Sequence, residues 1–199
     1  LPNPADNSRL RYAPLPDTLL LAYRVLPTLA GLAQARKART WETLIDPPDA
    51  AARASAALPP VVSHDFASTR FALLRAGGWQ VFFHYGQLSA SHAQAEALNF
   101  EASYHGCMIT EDPGTVGYGS PLHKGYYAHG LAQNVPLVNG EDETPLPQRG
   151  ELLKFDSAPA VVSAAQPNYR PGASAERTLR IEGNRLVDVA TVTATDGRA

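Results

Sequence analysis

With one cysteine in 199 residues, Cys107 has no partner for an internal disulfide, so any fold rests on packing and hydrogen bonds. Charge is sparse as well: 18% of residues are charged, the net charge is −2 and the pI is near 6.3. No basic block interrupts that balance, so nucleic acid is not an expected partner. The apolar runs fall far short of the roughly 20 residues that a spanning helix needs, and no membrane partner is expected either. Several chemical motifs are missing. There is no HxxxH or CxxC pair for a structural metal, no GxSxG elbow, and no lysine at the Walker position after GTVGYGS. Cys107, between Gly106 and Met108, reads as a buried, inert strand residue. What the chain has instead is 44% hydrophobic content, enough for a real core.

Two regimes divide the sequence. From Asp17 to about Leu44, apolar residues recur at three- and four-residue steps, which predicts helix with an interruption at Pro27. DPPDAAARASAALPP then reads as a linker. Beyond Pro60 the period becomes two. Strands are expected at Arg70–Ala76, Gln80–Tyr85, Asn99–Tyr104, Met108–Glu111 and Asn134–Val138. Further strands are expected at Glu151–Ser157, Ala160–Ala165, Glu176–Glu182 and Arg185–Ala194. Gly77-Gly78 and Gly183-Asn184 sit between alternating runs as hairpin turns. The expected fold is mainly β, an antiparallel β-sandwich from 59 to 199 behind a helical piece and linker at 1–58.

The densest chemistry lies between Tyr85 and Gly140. His92, Gln94, Glu96, Asp112, His123, Tyr126, Tyr127, His129 and Gln133 fall there among seven glycines, far more polar and turn-forming residues than a stabilising strand pair uses. Tyr118, Tyr126 and Tyr127 flank the loop that carries His123 and His129. Histidine and tyrosine together supply acid–base groups, and aromatic rings with polar edges also line carbohydrate sites. Glu96, Glu101 and Asp112 form no evident acid–nucleophile pair, which weakens a hydrolase reading.

The ordered set YGQ, SHAQAEALNFE, EDPGTVGYGSPLHKGYY and LAQNVPLVNG resembles the signature of heparinase II/III-like polysaccharide lyases, oligoalginate lyases among them. The resemblance runs from about Phe71 to Gly140 and extends toward the Gly183 hairpin. It implies a supersandwich-like sheet domain preceded by the last helices of an (α/α) toroid, with the active site in the cleft between them. It also implies that Leu1 and Ala199 are cut ends within a longer protein.

On that resemblance His92 is a catalytic residue near the substrate carboxylate, and Tyr127, with Tyr126 as the alternative, is the loop tyrosine of the site. Tyr118, Tyr126 and His123 are then substrate-binding. The zinc site of many relatives falls on Gln94, Asp112 and Gln133, where two histidines have become glutamines. Hence no zinc and no other cofactor is expected, with hydrogen bonds among those side chains instead. The implied partner is an acidic poly- or oligosaccharide, alginate-type by the HAQAEALNFE variant, together with the toroid of the same protein. The implied activity is β-elimination at a uronic acid in the bacterial periplasm, or alternatively the cytoplasm. A non-catalytic carbohydrate-binding or structural sandwich is the rival from a different class.

Overall fold

A computed structural model describes residues 33, 36, 37, 39–48, 60–90 and 92–194. The chain divides into two compact units, with Val62–Ala199 in one and Arg11–Val61 forming the other. In the second, a one-turn helix α1 spans Trp41–Ile45. Thr40 and Thr43 cap it reciprocally: the Thr43 amide donates to Thr40 Oγ1 at 3.4 Å and the Thr40 amide to Thr43 Oγ1 at 3.1 Å. Most of the helix expected at Asp17–Leu44, and most of the linker, lies outside the described residues.

The larger unit is two antiparallel meanders. The first sheet runs β1 (His64–Phe66), β2 (Phe71–Ala76), β3 (Trp79–His84), β4 (Asn99–Tyr104) and β5 (Cys107–Thr110) in that order. The second runs β6 (Glu151–Ser157), β7 (Ala160–Arg170), β8 (Ala173–Glu182) and β9 (Arg185–Ala194). Alternation explains both. Ala72, Leu74, Val81, Phe83, Phe100 and Ala102 on the first sheet form one buried cluster with Val162, Ala164, Ala175, Leu179 and Ile181 on the second. Tyr169, fully buried, closes the cluster with its hydroxyl donating to the Pro136 carbonyl at 2.5 Å.

Gly77 and Gly78 turn β2 into β3 with φ of 54° and 87°, and Ala76 pairs with Trp79 across a two-residue loop. Gly77 also has no room for a side chain, since a Cβ there would lie 2.1 Å from the Gly183 carbonyl oxygen. The two hairpin turns thus abut, and Trp79 Nε1 donates to the Asn184 carbonyl at 3.1 Å.

The antiparallel β class and the two glycine hairpins agree with the sequence reading, and four differences have physical causes. Asn134–Val138 is not a strand and makes only the isolated Val138–Glu141 bridge. Pro136 has no N–H for a ladder, and the Asn134 amide is taken by the Asn99 side chain at 3.2 Å. Strand β1 was not expected, because three residues carry no alternation. A short helical turn, His123–Tyr127, follows the glycine-rich GTVGYGS, where none was expected. Cys107 is on a strand but exposed, because β5 is an edge whose residues 107–109 all face solvent.

Candidate functional site

The segment between β3 and β4 is held in backbone shapes that side chains rarely choose. His92 has φ of 60° and Leu98 φ of 71°, both left-handed. Leu98 is fully buried, its amide donating to the His84 carbonyl at 2.8 Å. Between them Gln94 and Glu96 are turned inward, each 1% exposed, while His92 itself faces solvent. Strain of this kind persists only where the surroundings impose it, and it gathers at working sites.

His92 Nδ1 shares a 2.5 Å hydrogen bond with the Tyr118 hydroxyl, and the rings meet edge-on at 5.7 Å. Tyr118 in turn packs edge-on against His123 at 4.7 Å. Thr115 donates its only hydroxyl proton to the Val116 carbonyl at 3.1 Å. The same Oγ1 lies 2.7 Å from His123 Nδ1, which ties the ring to the loop. His92 and Tyr118, both exposed, thus form one connected row with the half-buried His123. Tyr126 and Tyr127 form a second pair, rings perpendicular at 5.2 Å, on the helical turn. That turn is tied to the His92 segment through the Ala95 amide, which donates to the Ala128 carbonyl at 3.1 Å.

A pocket of about 200 Å³ opens beside His92, lined by Thr69, Phe71, His84, Gln87, Ser89 and Glu96 among others. His84 and Glu96 are both buried, with Nδ1 and Oε2 3.5 Å apart. Behind them lies Glu143, its Oε1 accepting from Gln87 Nε2 at 2.7 Å and from the Ala97 amide at 3.0 Å. Desolvation outweighs those two bonds and pushes the Glu143 carboxyl up to about 7, with the neighbouring Glu96 adding to the rise.

His129 belongs to the scaffold. Its Nδ1 is bonded to Asp142 Oδ2 and its Nε2 donates to the Lys124 carbonyl at 2.8 Å. A ring that donates from both nitrogens is imidazolium, and the Asp142 hydrogen bond raises its pKa accordingly.

The positions that the resemblance associates with zinc are occupied by hydrogen bonds. Gln133 Nε2 donates to Gln94 Oε1 at 2.7 Å, and Gln133 Oε1 accepts from Asn99 Nδ2 at 3.2 Å. Asp112 is buried, and its Oδ1 accepts from the Gly114 amide at 2.6 Å. The group left over is a donor, the buried Gln94 Nε2, which has no hydrogen-bond acceptor. Two amides and one carboxylate lack the imidazole or thiolate that gives zinc its affinity. Among the described residues no three of His, Cys, Asp and Glu gather around a point. These side chains do not fit a zinc ion.

Sequence reasoning overlooked the buried polar groups behind this surface: Gln87, Glu143, Gln148 and Arg177. Only Arg177 carried a signal, since it falls in phase with the inward residues Ala175, Leu179 and Ile181 of β8.

Comparison with known proteins puts this geometry in context. Residues 59–198 match the family model described as heparinase II/III-like, C-terminal. A solved heparinase III superposes with a TM-score of 0.71 at 15% identity, covering 97% of this chain and 29% of that one. A heparan sulfate lyase from Pedobacter heparinus superposes with a TM-score of 0.61 at 16% identity, covering 88% of this chain and 27% of that one. At such identities the structures share a fold, and the chain spans less than a third of their length. None of the curated proteins matches the sequence closely enough to count as a relative.

Proposed function

The chain belongs to the heparinase II/III-like family, and from that premise we propose that it is the sheet portion of a lyase that cleaves uronic-acid glycans by β-elimination. The observation that carries this reading is His92, exposed, held at a left-handed φ, hydrogen-bonded to Tyr118 and open to a pocket. Elimination needs three things. The C6 carboxylate must be neutralised, the C5 proton removed, and the glycosidic oxygen protonated as its bond to C4 breaks and the C4–C5 double bond forms. A cationic or hydrogen-bonding group at the carboxylate stabilises the enolate-like charge, and that role falls to His92. Tyr118 and His123 orient His92 and contact sugar, and Tyr127 with Tyr126 forms the aromatic edge of the site. The proton-transfer groups come from the helical domain of the whole protein. Alginate-type chains are the proposed substrate within the uronate class.

The experiment is ultraviolet absorbance of the unsaturated product, with the whole protein acting on alginate, heparin and heparan sulfate oligosaccharides. Product from any of them supports the reading. Binding without product would instead support a carbohydrate-binding module, a second reading favoured by the exposed rings of Tyr118 and Tyr126.

A further inference from the structure

We propose that Arg177 is a positioning residue: it anchors a metal-free clasp of amide side chains that holds the His92 segment against the segment carrying Gln133. The proposal rests on the lyase reading for what His92 does, though not for where the clasp holds it.

Arg177 stands on β8 at a core-facing position and is 4% exposed. All five of its N–H groups are used. Nε and Nη2 grip the Asp188 carboxylate at 2.8 and 2.6 Å, which fixes the plane of the guanidinium. Nη1 donates to the Leu98 carbonyl at 2.9 Å and to the Asn134 carbonyl, and the second Nη2 proton goes to Asn134 Oδ1 at 3.0 Å. The plane also lies 4.5 Å over the Phe100 ring. One side chain from the second sheet therefore reaches both the strained end of the β3–β4 segment, at Leu98, and the residue next to Gln133.

From there the amides complete the tie. Asn99 accepts from the Asn134 amide and donates to Gln133 Oε1, and Gln133 donates to Gln94 Oε1 and at 3.4 Å to the Tyr127 carbonyl. Gln94 lies two residues from His92. Leu98 and His92, the two left-handed residues, bound a segment whose interior is fastened at Gln94, Ala95 and Ala97. A left-handed His92 needs such fastening, and where a metal would cross-link the two segments this chain uses a buried guanidinium and four amides. Lysine cannot substitute, because three donors on a flexible stem cannot serve five acceptors in one plane.

The test compares Arg177→Lys and Gln133→Leu with Arg180→Lys, a control from the exposed side of the same strand, in the whole protein. Isotope-labelled histidine, with the His92 signal assigned by its loss in His92→Asn, reports the ring and its titration. Arg177→Lys and Gln133→Leu should both shift the His92 ring signals and its titration, and the control should leave them in place. Turnover should fall about 10- to 100-fold with KM little changed, the cost of misplacing a group by about an ångström. A lowered thermal midpoint with His92 signals and turnover as in the parent would make Arg177 a stability residue alone and overturn the proposal. If Arg177→Lys does not fold, Gln133→Leu decides by the same readouts. If the parent yields no unsaturated product from any glycan, the lyase reading falls, and the histidine spectra alone decide the clasp.

Discussion

The β8–β9 hairpin and the stretch from His84 to Gln148 are built on opposite rules. The hairpin pairs ten residues with ten in unbroken register from Ala173–Ala194 to Glu182–Arg185, and buries alternate side chains of β8. The other stretch contains two short strands, and among the described residues it holds nine of the twelve buried polar side chains, against three in the second sheet. A regular ladder satisfies its own backbone, so its side chains need only be apolar on one face. An irregular segment must satisfy its backbone with side chains, which is why Gln87, Asn99, Glu143 and Gln148 are buried there. Those same side chains make the shapes at His92 and Leu98 possible. If the proposed reading is right, substitutions in the packed sheets should cost stability and substitutions in the irregular stretch should cost chemistry.

The largest effect is expected in the packed core. Phe83→Ala empties a fully buried position shared between the two sheets, and should cost about 3–5 kcal/mol in denaturant unfolding. Molecules of the whole protein that still fold should turn over substrate at nearly the parent rate. His92→Asn should do the reverse. Asparagine tolerates the left-handed φ of 60°, so the thermal midpoint should hold. Product formation should fall by about two to three orders of magnitude if His92 stabilises the developing charge. A lowered midpoint with near-normal turnover would return His92 to the scaffold and erase the contrast.

The third test concerns pH. Glu143 titrates at about 7 in the folded chain against an ordinary 4.5, because burial disfavours the carboxylate. Its folded pKa is raised, so between pH 4.5 and 7 the folded state holds a proton that the unfolded state has released. Stability contributed by that proton is complete below about 4.5 and is lost as the pH rises through about 7. The span corresponds to about 3 kcal/mol. Glu143→Gln keeps an acceptor for Gln87 and for the Ala97 amide, so it should match the parent near pH 5 and exceed its thermal midpoint near pH 8. Equal midpoints at both pH values would mean that the buried polar region is no more pH-sensitive than the hairpin.

The contrast also explains what was legible. Alternation and paired glycines exposed Glu151–Ser157 and Arg185–Ala194 to the residue, because a ladder imprints its period on the sequence. Asn134–Val138 misled for the same reason: it has the composition of a strand, yet its polar groups are engaged sideways, by Asn99 and Arg177. His92, Tyr118, His123, Tyr126 and Tyr127 could be picked out as polar rings among glycines; the structure joins the first three in one row and pairs Tyr126 with Tyr127 apart from them. Glu143 and Gln148 could not. A buried polar residue in a loop looks like any solvated one until its partners are known; those of the Glu143 carboxylate lie 46 and 56 residues away, and the Gln148 side-chain amide reaches carbonyls 20 and 21 residues away.

The smallest expected effect is the most direct check on reading β8 by phase. Arg177 and Arg180 are three residues apart on one strand, and both bind a carboxylate. Arg177 falls in step with Ala173, Ala175, Leu179 and Ile181 and is buried, whereas Arg180 falls out of step and is exposed. Arg180 Nε meets Glu182 Oε1 at 2.5 Å, but the two side chains are 45% and 55% exposed. Water screens that pair, and ordering two long side chains offsets much of the attraction, so such pairs contribute about 0–1 kcal/mol. Arg180→Ala should therefore change unfolding free energy by no more than about 0.5 kcal/mol at moderate salt. What remains of the effect should fade in high salt, where screening is stronger. A loss several times larger and indifferent to salt would mean that Arg180 supports the sheet in some way its exposure conceals. The inward phase of Arg177 would then no longer distinguish an arginine that organises the site from one that merely decorates the strand.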